Sequence, residues 1–255
     1  KMKSALTIAG SDPTGGAGLQ ADIKVFRAFG VHGLSVASAL TAQNTEGVIS
    51  VFPVDKNFFA EQLDVLLKDI TPDAVKTGML YSRQLVGAVA ETIRRYSLKN
   101  LVIDPVTVSS SGVSLVEDGT LDAIREQLFP LAKVITPNIY EASVLTGISI
   151  ENVTDMEEAA KELKKMGTEN VVITGGHLEG EALDLYYDGF SFFRMESVKR
   201  EGEYHGTGCA FSAAVTALLA TGHSTLESVK KTKEFIDDAI RKAYYLGKGM
   251  GLLNL

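Results

Sequence analysis

Ala74-Val75-Lys76-Thr77, then an amphipathic run carrying Leu85, Val89 and Ile93, then Leu101-Val102-Ile103: this stretch decides the fold. The short apolar runs are continuous, as strands covered on both faces require. In the run between them the apolar residues recur four apart, which marks one helical face. Working outward, Ala5 to Ala9 and Leu34 to Leu40 read as strands upstream, and Lys133-Val134-Ile135 and Val171-Val172-Ile173 downstream. Helical faces recur in Phe59, Leu63, Leu66, Leu67 and Ile70, and in Leu121, Ile124 and Leu128. Strand alternating with helix predicts an α/β domain with a mostly parallel sheet. Two places break the alternation. Leu183 to Tyr187, Asp188-Gly189 and Phe190 to Met195 read as a β-hairpin turning at Asp-Gly. After Gly208, helical patterns over about 210–221 and 225–246 finish the chain. With no linker, internal repeat or low-complexity tract, residues 1–255 read as one domain.

Composition narrows the class. Of 255 residues 45% are hydrophobic, and a net charge of −7 is too small to keep such a chain unfolded. The negative balance argues against a nucleic-acid backbone as partner. No run approaches the roughly 20 apolar residues of a membrane span. A single cysteine, Cys209, forms no internal disulfide, which suits a reducing compartment, and the expectation is a cytoplasmic protein.

In an open α/β sheet, ligands sit beyond the carboxyl ends of the strands. After the first strand comes Gly10-Ser11-Asp12-Pro13-Thr14-Gly15-Gly16-Ala17-Gly18, then a helix containing Asp22. Its glycines let backbone approach a ligand, and the bland alternative is a flexible connection. Thr174-Gly175-Gly176-His177 forms a second such corner. The third, His205-Gly206-Thr207-Gly208-Cys209, opens a helix of small residues and suits an anion, and a thiol there would have its thiolate favoured. A lone cysteine is otherwise a small buried hydrophobe. None of the corners is a Walker A loop or a dinucleotide fingerprint. Asp104 at a strand end could hold a metal, and Asn138 and Glu141 share a face if helical, although either could simply cap a helix. Oxygen ligands at scattered strand ends suit Mg²⁺ carrying a nucleotide.

These motifs, in this order, resemble the ribokinase superfamily and within it the hydroxymethylpyrimidine and phosphomethylpyrimidine kinases. The likeness runs through Ala9 to Asp22, Thr41-Ala42-Gln43-Asn44-Thr45, Lys76 to Leu80, Thr136-Pro137-Asn138 with Glu141, Gly175-Gly176-His177, His205 to Cys209 and the ending Gly247 to Gly251. The resemblance implies a three-layer αβα sandwich with a small β-hairpin excursion. It implies ATP and Mg²⁺ at the carboxyl ends of the strands, a pyrimidine alcohol in the pocket of the N-terminal half, and a homodimer.

The same resemblance assigns roles. Cys209 would be the base on the substrate hydroxyl, where many relatives carry Asp. Gly206, Thr207 and Gly208 would hold the charge developing on the transferred phosphoryl group. Gln43 would pair with the ring nitrogen and amino group, and Gly10, Asp22, Met79 and Val106 would complete the pocket. Asn138, Glu141, Thr174, Gly175 and Lys233 would lie by the nucleotide, with Asp104 and Glu141 by Mg²⁺. The implied reaction phosphorylates 4-amino-5-hydroxymethyl-2-methylpyrimidine and then its monophosphate, in thiamine biosynthesis. Two departures remove positive charge: Thr174 stands where the family commonly has Lys, and Thr107 to Gly112, including Ser110, lacks a Lys that many relatives carry. A pyridoxal kinase of the same superfamily is the nearest alternative, and a pyrimidine-binding regulator without turnover a more distant one.

Overall fold

A computed structural model of the chain describes residues 1–109, 112–175, 182–197 and 202–255. Among the described residues nine strands form one sheet in the order β3-β2-β1-β4-β5-β6-β7-β8-β9. They are β1 (Ser4–Ser11), β2 (His32–Asn44), β3 (Gly47–Pro53), β4 (Ala74–Thr77), β5 (Leu101–Ile103), β6 (Val134–Ile135), β7 (Val171–Gly175), β8 (Ala182–Tyr187) and β9 (Phe192–Ser197). The inner strands, β2, β1 and β4 to β7, are parallel; at one edge β3 pairs antiparallel with β2, and at the other β8 pairs antiparallel with both β7 and β9.

Side chains along the inner strands alternate between the two faces. Leu6, Ile8, Val75, Leu101, Ile103, Ile135 and Val171 point into one cluster with α2 (Lys56–Asp69), α3 (Arg83–Arg95), α4 (Thr120–Gln127), α5 (Ile139–Thr146) and α6 (Val153–Lys165). Ala5, Ala74, Val102, Val134 and Val172 point into the other, with α1 (Gly18–Ala28), α7 (Thr207–Ala220) and α8 (Thr225–Arg241). Both faces are therefore covered, which is why the strands read as unbroken apolar runs. The expected αβα sandwich is the observed one.

Strand order reverses between β1 and β4. β1 continues through α1 to β2 on one side, and β4 onward builds the other side. The carboxyl ends of β1 and β4 thus open onto a crevice at the topological switch.

Three readings need correcting. The hairpin is no excursion, because β8 and β9 complete the edge of the main sheet. Its Asp-Gly is not a two-residue turn: Tyr187 pairs with Phe192, and the Asp188 carboxylate accepts from the N–H groups of Phe190 and Ser191 at 2.7 Å each. The last helix stops at Arg241 rather than near 246. Beyond it the chain peels away and docks on the β2–β3 connection and on β10. Met250 N–H donates to Thr45 O at 2.9 Å, and β11 (Gly251–Leu252) pairs in parallel with β10 (Tyr204–His205).

Candidate active site

Two glycine corners interlock at the switch point. Asp12 shapes the first: its Oδ1 accepts from Thr14 N–H at 2.9 Å, and its Oδ2 from Thr14 Oγ1 at 2.8 Å and Ala17 N–H at 2.9 Å. Gly206 meets this loop in the left-handed region, at φ +79°, and a Cβ there would stand 1.9 Å from Gly16 O. Only glycine fits such a crossing. Gly206 also opens α7 as its N-cap, with no side chain to cap it, so the first-turn N–H groups of Thr207, Gly208 and Cys209 keep their capacity for an anion. A Cβ on Gly208 would meet nothing within 4 Å, so the backbone faces open space there.

Beneath this corner lies a buried polar cluster. Strand alternation sends Thr7, Lys76 and Asp104 to the face that carries α1 and α7, and Thr7 and Lys76 are register partners. Lys76 is fully buried; its Nζ donates to Asp22 Oδ1 at 2.5 Å and to the carbonyl of Cys209 at 3.0 Å. Thr7 Oγ1 donates to the other Asp22 oxygen at 2.6 Å. Burial alone would drive the Lys76 ammonium down, but Asp22, Cys209 and Asp104 outweigh it and raise its pKa. Burial raises Asp22 as well, against the pull of Lys76.

Asp22 is consequently no part of the substrate pocket. It is fully buried and engaged by Lys76 and Thr7, where it anchors the sheet to α1 and α7.

The second correction concerns the thiol. Gly18 N–H donates to Cys209 sulfur and the Lys76 charge lies close, yet burial dominates, and Asp104 and Asp22 reinforce it. The result pushes the Cys209 thiol up to about 12, opposite to the expected thiolate. Burial, with the carboxylates beneath adding to it, outweighs the helix N-terminus.

Toward β5, β6 and β7, contacts run from strand end to strand end. Ser212 Oγ donates to Asp104 Oδ2 at 2.9 Å. Burial pushes Asp104 up to about 6 despite Lys76 and Ser212. Burial, then repulsion from Asp104, pushes Glu141 up to about 8. Asn138 and Glu141 form a capping box on α5, with N–H donors on Oδ1 at 2.8 Å and Oε2 at 2.9 Å. The helix-cap reading of this pair is thus realised. Asn138 also bridges to Thr174 at the end of β7. Next along, Gly175 N–H donates to Asp184 Oδ1 at 2.9 Å, and Lys233 Nζ pairs with Asp184 Oδ2 at 2.9 Å. Gly176, His177, Ser110 and Ser111 lie outside the described residues.

Toward β2, Gly10 lies under Met79, whose sulfur would be 2.9 Å from a Cβ placed there. Met79 packs with Ala39, Val48 and Leu115, and Val106 rests against them, forming an apolar floor. Gln43, half-buried in β2 beside a bulge in β3, places its amide 3.1 Å from His205 Nε2. His205 Nε2 in turn lies 2.7 Å from Asp12 Oδ2, and these bonds, with those to Thr14, hold the Asp12 carboxylate below its usual range although burial opposes them.

The structure therefore brings the expected residues to one end of the sheet, from Gln43 to Lys233, with Asp22 beneath rather than among them. Sequence reasoning assigned no role to Lys76, Asp12, His205, Asp184 or Ser212. For Lys76 the signal was present, since period-two alternation places it beside Ala74 on the helix-covered face. Asp12 and His205 are 193 positions apart, and nothing local announces their pairing.

The family model described as phosphomethylpyrimidine kinase matches residues 12–254. The hydroxymethylpyrimidine/phosphomethylpyrimidine kinase of Bacillus subtilis (strain 168) is 41% identical over 253 residues, covering 98% of this chain and 93% of the relative. The thiamine biosynthesis bifunctional protein of Geobacter sulfurreducens is 44% identical over 253 residues; the match covers 98% of this chain but 52% of that protein, so the chain spans about half its length. A crystal structure of an ADP complex of Bacillus subtilis pyridoxal kinase superposes with a TM-score of 0.92 at 42% identity, covering 99% of this chain and 97% of the other. By both sequence and structure, the chain belongs to the phosphomethylpyrimidine kinase family.

Proposed function

We propose that the protein is an ATP-dependent kinase that phosphorylates the hydroxymethyl group of 4-amino-5-hydroxymethyl-2-methylpyrimidine and then the resulting monophosphate, in thiamine biosynthesis. The observation that carries the reading is the pairing, at one crevice, of the Gln43 amide above an apolar floor with the uncapped start of α7. A flat ring carrying a nitrogen and an amino group suits the first, and a phosphoryl group the second.

Phosphoryl transfer is chiefly positioning and electrostatics. The alcohol oxygen attacks the terminal phosphorus as the bond to the leaving ADP oxygen breaks. The N–H groups of Thr207, Gly208 and Cys209 hold the equatorial oxygens as charge moves onto them. Cys209 enters as a thiol, so it orients the hydroxyl instead of deprotonating it in advance, and the alcohol proton leaves late, to a phosphate oxygen. Asn138, Thr174, Gly175 and Lys233 border the nucleotide, with Asp184 fixing Lys233 and Gly175.

Mg²⁺ fits this chemistry. Asp104 follows the end of β5 and Glu141 lies in the first turn of α5; both are hard oxygen donors, and burial, with repulsion from Asp104 added, raises the Glu141 carboxyl, a cost to its ionised form that a divalent ion beside it would relieve. One or two carboxylates suffice for an ion that also binds phosphates, and these two would hold it. When bound, it supplies positive charge to the phosphates.

A coupled ADP-release assay tests the reading. Turnover that depends on the pyrimidine alcohol is the expected result; nucleotide and alcohol binding without turnover would point to the regulator instead. Pyridoxal kinase is the second reading, favoured by the similarity to that solved structure. Such a metabolic kinase would work in the cytoplasm. Among the described residues no helix is long and apolar enough to cross a membrane.

For assembly we infer a homodimer through the β3 edge, where Phe52, at 72% exposure, and its cross-strand partner Leu40 leave apolar surface uncovered beside Ile49. Light scattering should give twice the chain mass, and a value near 27.3 kDa would refute it.

A further inference from the structure

The amide of Gln43 sits in a hydrogen-bond circuit that leaves it one orientation. The two ends of an amide are alike in shape, so its hydrogen bonds decide which end is which. His205 Nε2 lies 2.7 Å from Asp12 Oδ2, and a carboxylate only accepts, so Nε2 carries its hydrogen toward Asp12. As placed, the Gln43 NH₂ faces that same N–H at 3.1 Å and the carbonyl faces Thr41; two N–H groups cannot bond each other, so the ends of the amide are assigned the other way round, with the carbonyl by His205. At the other end Thr41 Oγ1 lies 3.0 Å away and has its own hydrogen committed to Ser11 O at 2.9 Å. It therefore accepts from the Gln43 NH₂. The reversed amide would set two N–H groups against each other. His205 is buried, and its Nδ1 has no partner among the described residues, so the ring's hydrogen bonding is spent on Asp12 and Gln43.

We propose that Asp12 and His205 are positioning residues that lock the Gln43 amide, and so fix the order of acceptor and donor that it presents to the substrate ring. The inference rests on the substrate reading above. A 4-amino ring offers a donor beside a ring-nitrogen acceptor. A 4-oxo ring offers the reverse, an acceptor beside a ring N–H, and would need the amide turned over. An amide locked one way accepts the first ring and leaves mismatched polar groups with the second, a difference on the order of 10–100-fold.

The test compares kcat/KM for the 4-amino and 4-oxo 5-hydroxymethyl-2-methylpyrimidines in the wild-type enzyme, His205→Leu and His205→Gln. Under the proposal the wild type prefers the amino alcohol. His205→Leu frees the amide and reduces that preference about tenfold, through KM for the alcohol, with KM for ATP unchanged. His205→Gln sets an amide N–H near the place of Nε2 and restores most of the preference. If His205→Leu does not fold, His205→Asn replaces it, because its shorter amide cannot reach that place. A role confined to stability would lower both alcohols alike, and an unchanged ratio in folded His205→Leu or His205→Asn overturns the lock. Failure of the wild type to turn over the amino alcohol at all would instead remove the substrate reading, and the inference with it.

Discussion

The buried ammonium of Lys76 donates to the carbonyl oxygen of Cys209 at 3.0 Å, joining β4 to the first turn of α7. The same ammonium holds Asp22 of α1, so one side chain ties the sheet to both helices whose N-termini meet at the site. Removing one member of a buried ion pair leaves the other uncompensated, at roughly 3–5 kcal/mol. Lys76→Met should therefore lower the melting temperature by on the order of 10 °C, at about 2–4 °C per kcal/mol. Lys76→Met combined with Asp22→Leu should recover part of the loss. A double variant no more stable than the single one would show that the pair is not the anchor.

The Cys209 thiol, pushed up to about 12, is protonated at neutral pH. Alkylation by iodoacetamide in the nucleotide-free enzyme should be slow at pH 7, and thiolate absorbance near 240 nm should not grow between pH 6 and 9. A thiolate titrating near 7 would restore the resting base that the corner's sequence suggested.

Glu141 keeps its proton in the folded state up to about pH 8, whereas an ordinary glutamate loses it near 4.5. Between those values the folded state binds more protons, so stability is full below about 4.5 and falls as pH rises toward 8. Asp104 adds to the same slope up to about 6. The melting temperature should decline from about pH 5 to pH 8 more steeply in the wild type than in Glu141→Gln. Magnesium chloride at pH 8 should raise it in the wild type and less in the variant. Parallel pH curves for the two proteins would contradict the account.

At Gly206 a side chain meets both a left-handed backbone and Gly16 O. Gly206→Ala should force the two corners apart and reduce kcat/KM for ATP and alcohol together by at least tenfold, as expected when misplacement spoils a preorganised site. Gly30 is also left-handed, at φ +69°, but a Cβ there meets nothing within 4 Å, so Gly30→Ala should lower stability and leave kcat/KM near wild type. Equal losses of activity in the two variants would remove the interlock from the explanation.

The inner strands and most helices were legible because burial on both faces writes itself as apolar runs and one-faced periodicity. β3 carries a mixed pattern, with Val48 buried and Ile49 exposed around a bulge, and it passed unread. β10 and β11 are two residues each and exist only through pairing with one another across the chain. At the site, glycine corners and chemistry-bearing residues could be located, but whether a carboxylate faces the crevice or the core could not. Asp22 has the sequence context of a loop-helix ligand; its partner Lys76 lies 54 positions away and turns it inward. The thiol failed for a related reason, since the burial that raises it, and the carboxylates that add to it, come from other elements.

The most direct measurement is kcat/KM, with saturating ATP and Mg²⁺, for 4-amino-5-hydroxymethyl-2-methylpyrimidine against pyridoxal in the same preparation. The account predicts a clear preference for the pyrimidine, because pyridoxal lacks the amino group that the Gln43 amide accepts. A preference for pyridoxal above about tenfold, close to 1.4 kcal/mol in the opposite direction, would contradict it.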